Sequence, residues 1–297
     1  MRLSRDIRLI IKKGLQEDIG HEDITTLFTI PYHFKTESEI LAKEDGILCG
    51  IEIARAVFKE RDRNVIFKTF KKDGNSFKAE DRIAYIKGDA RVILSAERVA
   101  LNFLSLFSGI ASITAKFVSQ TKGTPAKILD TRKTTPGLRV LEKYAVKIGG
   151  GYNHRKSLGD AILMKDNHLR AGRFIREDGR LDEIRMAKCI SYLRTLPSKK
   201  IEIEVESLDD FKAIVKYKPD VIMLDNFNIL GMRKAVKFRN KYFPRVKLEA
   251  SGGVRLENVR KIAKSGVDYI SIGSLTHSPK AIDFSLEIIT TNKNSES

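Results

Sequence analysis

The chain has 297 residues, of which 42% are hydrophobic, and it carries a formal net charge of +17. This length and apolar content suffice for one large core or two smaller ones, and we expect two domains, with disorder only in the final "NKNSES". Cys49 and Cys189 stand far apart without metal-ligand spacing, which argues against a disulfide framework and indicates two small buried hydrophobes.

The positive charge is concentrated in one part of the chain. Residues 121–175 hold twelve Lys and Arg against four Asp and Glu, a net of +8. Clustered cations bind polyanions, including nucleic acid. A low-complexity basic arm, an RNP-like aromatic pattern, a helix-turn-helix signature and zinc-finger spacing are all missing from the sequence, so a small polyanion in a pocket explains the charge at least as well.

The N-terminal half predicts an antiparallel sheet with helices beside it. Residues 1–17 read as an amphipathic helix rather than a signal peptide, which indicates a cytoplasmic protein. Period-two patterning with Asp-Gly and Gly-Asp turns fills residues 36–94. The longest uncharged run, 99–115, includes several polar residues and falls short of a membrane span, so it indicates a buried helix.

Ser95 is the predicted N-cap of a helix that runs from Ala96 to about Gln120 and connects the two domains. Arg98 would then lie in the first turn, where a cation opposes the helix dipole. Such a misplaced charge hints at function, and a salt bridge with a nearby acid is the alternative.

After residue 125 short apolar strands alternate with helical stretches, which predicts a parallel sheet. Six such units in about 150 residues suggest a shortened α/β barrel, with an open doubly wound sheet as the rival. Most strands end in a charged or small polar residue, and the C-terminal edge of barrel strands carries the site. The predicted strands are 126–130, 161–166, 201–206, 221–226, 246–253 and 269–274.

The strand "IEIEVE" places Glu202, Glu204 and Glu206 on one face, which we expect to point into the barrel. Buried carboxylates need partners. A solvated edge strand is the alternative. The candidate partners at neighbouring strand ends are Arg132, Lys133 and Lys165.

Two segments supply cations suited to an anionic ligand. "TRKTT" (131–135) combines adjacent cations with hydroxyls after a buried strand, although a surface loop could look the same. "IGGGYNHR" (148–155) has three glycines that permit close backbone approach to an anion, followed by His154 and Arg155. The glycines alone are weak evidence, because a plain flexible loop would also use them.

Four further strand ends carry polar groups. Lys165 lies just inside a strand end and needs an acid or a ligand anion, and nearby His168 is expected to be structural or capping. Asp225 could hold sugar hydroxyls or Mg²⁺, or cap a helix. "ASGGV" (250–254) and "IGS" (272–274) follow the last two strands, where free backbone N–H groups could cradle a phosphate. Together these groups predict an enzyme acting on a phosphosugar and a second anionic substrate.

As a set, the motifs resemble the quinolinate phosphoribosyltransferase family, the decarboxylating nicotinate-nucleotide pyrophosphorylases of NAD biosynthesis. The matching segments run in order from about residue 17 to residue 288. Two residues differ from the family pattern. Glu22 in "EDIGHEDITT" stands where glycine is expected, and Ser157 stands where many relatives have glycine after "NHR". Both positions lie outside the residues to which chemistry is assigned, so they bear on loop shape more than on activity. The motifs that carry the resemblance are "ERVALNFLSLFSGIAS", "ILDTRKTTPGLRVLEKYAVKIGGGYNHR", "MKDNH", "IEVES", "IMLDN", "EASGG" and "SIGSLTHS".

The resemblance implies an N-terminal open-faced α/β sandwich (1–115) and an incomplete, about six-stranded α/β barrel of the type II phosphoribosyltransferases (116–275). It also implies that the tail 276–297 packs back on the sandwich. A homodimer or larger assembly is implied too, in which the sandwich of one subunit covers the barrel mouth of the other, so that Arg98 acts across the interface.

The implied reaction converts quinolinate and phosphoribosyl pyrophosphate to nicotinate mononucleotide, pyrophosphate and CO₂, with Mg²⁺. Arg132, His154 and Arg155, with Arg98 from the other subunit, would fix the quinolinate carboxylates. Lys133 and Lys165 would neutralise phosphates, and Glu204 and Asp225 would hold ribose hydroxyls directly or through Mg²⁺. The remaining implied substrate-binding residues are Thr131, Ser251, Gly252, Gly253, Ile272, Gly273 and Ser274, of which the last six would take the 5′-phosphate.

Two alternatives stay open at this point. A homologue associated with molybdenum-uptake operons shares the fold and could use another substrate, although the full "TRK", "NHR" and "KDNH" set argues against it. A basic nucleic-acid-binding protein is the rival from a different class. We expect neither a nucleic-acid partner nor a membrane partner. Arg139, at the end of "TRKTTPGLR", has no predicted role.

Overall fold

A computed structural model describes residues 4–196 and 199–289, so the predicted disorder of "NKNSES" falls outside the described residues. The chain forms two compact units. The first unit consists of Met1–Ala115, Thr135–Gly150 and Ser278–Ser297, and the second of Lys116–Thr134 and Gly151–His277. Residues 135–150, which the predicted boundaries place in the barrel, thus belong to the first unit, because the helix they form packs there.

Helices and strands follow one another along the whole chain. The helices are α1 (Arg5–Ile19), α2 (Ile24–Thr29), α3 (Ile51–Arg61), α4 (Ala90–Gln120), α5 (Arg139–Ile148), α6 (Asp166–Ala171), α7 (Glu183–Leu193), α8 (Leu208–Val215), α9 (Ile229–Tyr242), α10 (Leu256–Ala263) and α11 (Ser274–His277). The strands are β1 (Lys35–Ala42), β2 (Gly46–Ile47), β3 (Ile66–Thr69), β4 (Ser76–Phe77), β5 (Arg82–Asp89), β6 (Lys127–Leu129), β7 (Ile162–Met164), β8 (Ile201–Val205), β9 (Val221–Asp225), β10 (Lys247–Ser251), β11 (Tyr269–Ser271) and β12 (Phe284–Ile288).

The first unit is built on an antiparallel sheet, as the sequence predicts, with the strand order β12-β1-β5-β3. Alternate residues of β1, namely Ser38, Ile40 and Ala42, are fully buried. The opposite face is polar, and there Lys87 Nζ on β5 lies 2.8 Å from the Glu37 carboxylate on β1. One covered and one polar face is the alternation expected of an open-faced sandwich.

Helix α4 begins at Ala90, so two expectations about its N-terminus are wrong. The predicted strand ends at Asp89, whose carboxylate accepts the backbone N–H of Arg91 at 3.0 Å. Ser95 is not an N-cap, because it is buried inside the helix and its hydroxyl donates to the Val92 carbonyl at 3.2 Å. The alternating "ARVIL" reads as a strand, but the apolar spacing that continues into α4 favours the helix.

Arg98 is consequently the ninth residue of α4 and not part of its first turn, so the argument from the helix dipole does not apply. Its side chain is 61% exposed, and its Nη2 lies 3.7 Å from the Glu97 carboxylate. The alternative explanation for Arg98, a salt bridge with a nearby acid, is therefore present in the structure.

Helix α4 forms much of the apolar core of the first unit. Ile93, Leu104 and Phe107 are among its buried residues, and their spacings of eleven and three residues, about three turns and one turn, place them along the helix stripe that faces the core. Burying each such side chain stabilises the fold by about 1.5–3 kcal/mol. By length and composition α4 is also the one membrane-span candidate among the described residues, and half of its most apolar window is buried inside the protein.

The second unit holds all six predicted strands in one parallel sheet with the order β6-β11-β10-β9-β8-β7. Helices alternate with these strands along the chain. Strands β6 and β7 stand at the two edges of the sheet, which is the arrangement of an incomplete barrel. Because all six strands run in the same direction, their C-terminal ends meet at one edge, and that edge carries the polar residues.

Gly109 of α4 tests how closely the C-terminal tail packs on this helix. A Cβ at this position would lie 2.2 Å from the Lys280 carbonyl oxygen, a backbone atom that cannot rotate away. We expect Gly109→Ala to lower the free energy of unfolding by about 1–3 kcal/mol despite its better helix propensity, as measured by urea denaturation. Gly159→Ala is the control, because its nearest neighbour is Ser157 Oγ at 3.8 Å. Equal stability of the two variants would contradict the packing.

Candidate active site

A cavity of about 720 Å³ lies at the C-terminal edge of the parallel sheet and is lined entirely by the second unit. Fourteen of the fifteen predicted substrate-binding residues line it, although they come from six separate strand ends and from the loop that carries His154 and Arg155. Only Arg98, in the first unit, is not among them. The predicted residues in the lining are Thr131, Arg132, Lys133, His154, Arg155, Lys165, Glu204, Asp225, Ser251, Gly252, Gly253, Ile272, Gly273 and Ser274.

Two arginines in the cavity wall have donors without a protein partner. The Nε atoms of Arg132 and Arg155 are buried and make no hydrogen bond to the described residues. Burial, followed by the charge of Arg132, lowers the pKa of Arg155. Its Nη1 donates to the Ala161 carbonyl at 3.1 Å, which fixes the side chain. Two neighbouring guanidinium groups with free donors favour an anion with two acidic groups, because planar forks bind carboxylates well.

His154 is held in one orientation by three contacts. Its backbone N–H donates to the Asp130 carboxylate at 2.9 Å, and the backbone N–H of Arg155 donates to its Nδ1 at 2.8 Å. Because Nδ1 accepts a hydrogen bond, the neutral ring carries its proton on Nε2. That atom lies 3.1 Å from Glu202 Oε2 and 3.6 Å from Glu249 Oε1.

The carboxylates of β8 divide between the barrel interior and the surface. Glu202 and Glu204 are buried, as predicted, whereas Glu206 is exposed because the strand ends before it. The partner of Glu202 is His154 and not one of the predicted cations. The prediction failed here because His154 reaches this position from a loop that sequence spacing cannot place.

Glu249 on β10 is a buried acid that the sequence analysis missed. It is 1% exposed, and Ser271 Oγ donates a hydrogen bond to its Oε1. Burial, followed by the negative charge of Glu202, raises the pKa of Glu249 to about 8. The alternation in "KLEAS" was the available signal, because, as in "IEIEVE", it places a glutamate on the polar face of a strand in the parallel sheet.

Lys165 pairs with Glu204, as predicted, and the Nζ–Oε2 distance is 2.5 Å. Asp225 lies at the cavity, where its Oδ2 accepts from Asn226 Nδ2 at 2.8 Å. It does not cap the next helix, since Asn228 is the N-cap of α9. The carboxylates of Glu204 and Asp225 border a cavity with room for phosphate groups. This donor set fits Mg²⁺, which uses one or two protein carboxylates together with water and phosphate.

The turn after β10 depends on glycine. Gly252 and Gly253 have φ values of +86° and +60°, a region that disfavours other residues. A Cβ on Gly252 would lie 2.1 Å from Asn226 Oδ1, while the position of a Cβ on Gly253 is open. The Asn226 N–H donates to the Ser251 carbonyl at 2.9 Å and joins this turn to the end of β9. The turn is therefore preformed and open toward the cavity.

The cation loop after β6 is tied to the turn after β11. The Lys133 N–H donates to Thr131 Oγ1 at 3.0 Å, and Thr276 Oγ1 donates to the Lys133 carbonyl at 2.7 Å. A Cβ on Gly273 would lie 3.1 Å from the Lys133 side chain. These contacts hold Lys133 next to the second predicted phosphate turn.

Several lining residues were not predicted. Arg255 follows the first glycine turn and could have been found from "SGGVR", because a cation there adds to the phosphate site. His277 ends α11, and nothing in its local sequence marks it as a cavity residue. The main polar residues that the sequence analysis missed in the lining are Asn226, Arg255, Ser271 and His277.

Some motif residues have structural roles instead. None of the three glycines 149–151 belongs to the described residues that line the cavity. A Cβ on Gly149 would lie 2.3 Å from the Ala111 carbonyl oxygen, so this glycine lets α5 approach α4. Arg139 begins α5, and its charge partly offsets the burial that raises the pKa of Glu142. His168 caps α6, as predicted, because its Nδ1 accepts the Lys165 N–H at 3.1 Å.

The fold and the cavity define an α/β-barrel enzyme that binds a small polyanion at its strand ends. Residues 23–108 match the family described as quinolinate phosphoribosyl transferase, N-terminal domain, and residues 110–287 match the C-terminal domain of the same name. The chain belongs to the quinolinate phosphoribosyltransferase family.

Individual relatives agree with this assignment. A nicotinate-nucleotide pyrophosphorylase (carboxylating) of Mycobacterium leprae is 38% identical, with 94% of this chain and 95% of that protein covered. A chloroplastic protein of the same name from Arabidopsis thaliana is 39% identical, with 96% of this chain and 83% of that protein covered. The structure of the nicotinate-nucleotide pyrophosphorylase from Francisella tularensis is 38% identical and has a TM-score of 0.87, covering 97% of this chain and 98% of that one. The predicted family and fold class are confirmed.

The free donors of Arg155 predict dicarboxylate binding. We expect Arg155→Met to weaken the binding of phthalate, an aromatic 1,2-dicarboxylate, by about 10- to 100-fold, because hydrogen bonds to a charged group contribute about 1.5–3 kcal/mol each. Isothermal titration calorimetry measures this dissociation constant. Arg245→Met, which removes an exposed arginine outside the lining, serves as the matched control. An unchanged dissociation constant for Arg155→Met would rule out this role.

Proposed function

We infer that this protein converts quinolinate and phosphoribosyl pyrophosphate to nicotinate mononucleotide, pyrophosphate and CO₂, a step of NAD biosynthesis. The observation that carries this inference is the single cavity in which two under-bonded arginines, two lysines, two acids and two turns meet. Membership of the family supplies the reaction class, a pentosyl transfer.

The two arginines would bind the nitrogen heterocycle, quinolinate, through its carboxylates. Quinolinate carries adjacent carboxylates on a pyridine ring, and Arg132 and Arg155 offer donors for two acidic groups. His154 borders the same wall, where its Nε2–H is already directed at Glu202. Fixing both carboxylates orients the ring nitrogen toward the ribose carbon that it attacks, which lowers the entropic part of the barrier.

The lysines and acids account for the phosphosugar. Pyrophosphate departs with its electron pair from the ribose carbon, so negative charge grows on the leaving group and positive charge on the sugar. Lys133 and Lys165 would stabilise the leaving phosphates. Glu204 and Asp225 would bind the ribose hydroxyls and favour the developing sugar cation. The turns 251–253 and 272–274, with Arg255, would take the 5′-phosphate.

Mg²⁺ is proposed to enter together with phosphoribosyl pyrophosphate. Glu204 and Asp225 would hold it directly or through water, because they are the acids among the described lining residues of the cavity. When bound, Mg²⁺ supplies charge neutralisation on the pyrophosphate. One oxygen of Glu204 already accepts from Lys165, so that carboxylate would be shared.

A homodimer with a shared site is the proposed assembly. Arg98 belongs to the first unit, is 61% exposed and carries a cation well suited to a carboxylate. We propose that it acts in the cavity of the partner subunit. A cytoplasmic location is also proposed, and it is supported by Cys49 and Cys189, which are both free thiols, as a reducing compartment maintains.

The other candidate functions have weaker support. Four of the cations in the basic segment 121–175 line the cavity, namely Arg132, Lys133, Arg155 and Lys165, so a small anionic substrate accounts for much of that charge. A nucleic-acid partner is not needed to explain them. The molybdenum-operon homologue would differ in substrate, and the assay below distinguishes it.

The purified protein with phosphoribosyl pyrophosphate and Mg²⁺ should consume quinolinate, as followed by ultraviolet absorbance, and should release CO₂. Lys133→Met should lower kcat/KM by about 100-fold, because a single transition-state contact of this type contributes about 2.7–4 kcal/mol. Lys237→Met, which changes an exposed lysine of α9, is the control and should keep full activity. Well-folded protein that consumes nicotinate and leaves quinolinate untouched would overturn the assignment.

Subunit mixing tests the shared site. Arg98→Ala and Lys133→Ala are each expected to be inactive as homodimers, because each removes one of the proposed contributions to every site. A heterodimer would contain one intact site and one site that lacks both residues. Each heterodimer should therefore have up to about half of the activity of a wild-type dimer. Native mass spectrometry verifies that subunits have exchanged. Verified exchange without recovered activity would refute a site shared between subunits.

A further inference from the structure

A buried acid lies directly beneath the cavity. Glu249 is 1% exposed, so it does not face the substrate space itself. Two of its neighbours do: Ser271, whose Oγ is hydrogen-bonded to Glu249 Oε1, and His154, whose Nε2 is 3.6 Å from the same oxygen. Glu202 on β8 completes the group, and one polar atom from each of His154, Glu202 and Glu249 lies within 4.8 Å of the others.

The surroundings of Glu249 favour its protonated form. Burial penalises its charged form, and the nearby negative charge of Glu202 adds to that effect, so its pKa rises to about 8. His154, the Ser271 hydrogen bond and the more distant charge of Lys165 act in the opposite direction and do not cancel the rise. A neutral carboxylic acid therefore sits one hydroxyl away from the cavity.

His154 cannot serve as the proton carrier of this group. Its Nδ1 accepts the Arg155 N–H at 2.8 Å, so only Nε2 bears hydrogen. Releasing that proton would leave an imidazolate, and adding one at Nδ1 would break the backbone contact. Lys165 is also poorly suited, because its ammonium group pairs with Glu204 at 2.5 Å. Glu249 is suited to this task, because its raised pKa lies near physiological pH, the condition that favours proton transfer.

The proposed reaction requires a proton at a defined atom. After the ring nitrogen has bonded to ribose, the bond between the ring carbon next to it and the carboxylate carbon breaks. CO₂ leaves, and the electron pair of that bond stays on the ring carbon, next to the positive nitrogen. The carbon must then accept one proton to give the nicotinate ring.

We propose that Ser271 delivers this proton and that Glu249 replaces it, so that Ser271 is the catalytic group and Glu249 is its buried proton reservoir. The inference rests on the proposed function. In the structure the Ser271 hydroxyl donates to Glu249 Oε1. A proton on that oxygen reverses the bond, so that Glu249 donates to Ser271 Oγ and the Ser271 hydrogen becomes available to the cavity. The Ser271 hydroxyl then gives its proton to the ring carbon while its oxygen takes the proton of Glu249. Glu249 is left as a carboxylate and regains a proton from water after the product leaves. No oxidant or further reactant is required.

The test is a single-turnover measurement of CO₂ release with quinolinate and phosphoribosyl pyrophosphate at saturating concentrations. Glu249→Gln keeps the shape and a hydrogen bond to Ser271 but has no acidic proton. Its rate should fall by about 100-fold, because general acid catalysis typically contributes 10²- to 10⁴-fold. KM for both substrates should stay within about threefold. Ser271→Ala should show a similar loss, and Ser271→Thr, which keeps a hydroxyl, should restore much of the rate.

The pH dependence provides a readout that a purely structural role would not change. Because the protonated form of Glu249 is the active one, the wild-type rate should decline as the pH rises through about 8. Glu249→Gln should lack this decline. Glu202→Gln should move the decline to lower pH, since it removes the negative charge that helps to keep the proton on Glu249. Glu142→Gln, which alters a buried acid of the first unit, is the matched control and should leave the profile unchanged.

The outcomes separate the two proposals. If wild-type protein does not convert quinolinate, the proposed function fails. If wild-type protein converts quinolinate but Glu249→Gln keeps the full rate and the same alkaline decline, the proton reservoir is refuted and the function stands. Circular dichroism and thermal unfolding establish that each variant is folded. Should Glu249→Gln not fold, the Ser271 pair decides, because an unchanged rate in Ser271→Ala refutes the relay.

Discussion

The compensation of charge at the C-terminal edge of the parallel sheet is the constraint on which the rest of this structure depends. Buried carboxylates such as Glu202 and Glu204 are costly unless a hydrogen-bonded partner lies within reach. His154 provides one of those partners from a loop, and Lys165 provides the other from the end of β7. Among the described residues, the Nε atoms of the two wall arginines have no acceptor, so this part of the site has donors left for a ligand. An anionic ligand completes the electrostatic balance, and this requirement links the fold to the chemistry.

The charges that surround each acid also determine which role that acid can have. Glu204 is paired with a cation and borders the cavity, where it can serve the sugar. Glu249 is sealed beneath the cavity beside another acid, and its environment favours the protonated form. The two glutamates thus have different surroundings, because Glu204 faces an ammonium group, whereas Glu249 is fully buried and lies near a second carboxylate. Environment, rather than residue type, sets their roles.

Sequence patterns correctly predicted the features that depend on residues close together in the chain. The alternation and turns of the six strands gave the parallel sheet, and the polar residues at strand ends gave the lining of one cavity. They failed where contacts between residues far apart in the chain determine the structure. Ser95 has the chemistry of an N-cap but lies inside α4, since the apolar stripe of that helix extends to Ala90. Gly149 looked like part of an anion loop, yet it serves the packing of α5 against α4.

By itself, the sequence determined the family, the fold class and the identity of most cavity residues, because those features follow from side-chain chemistry and from spacing along the chain. Only the tertiary structure decided which groups meet. It paired Glu202 with His154, placed Ser271 on Glu249 and brought Arg255 and His277 to the cavity. These partners are separated by tens of residues, and their distances depend on strand order and register, which local propensities do not encode.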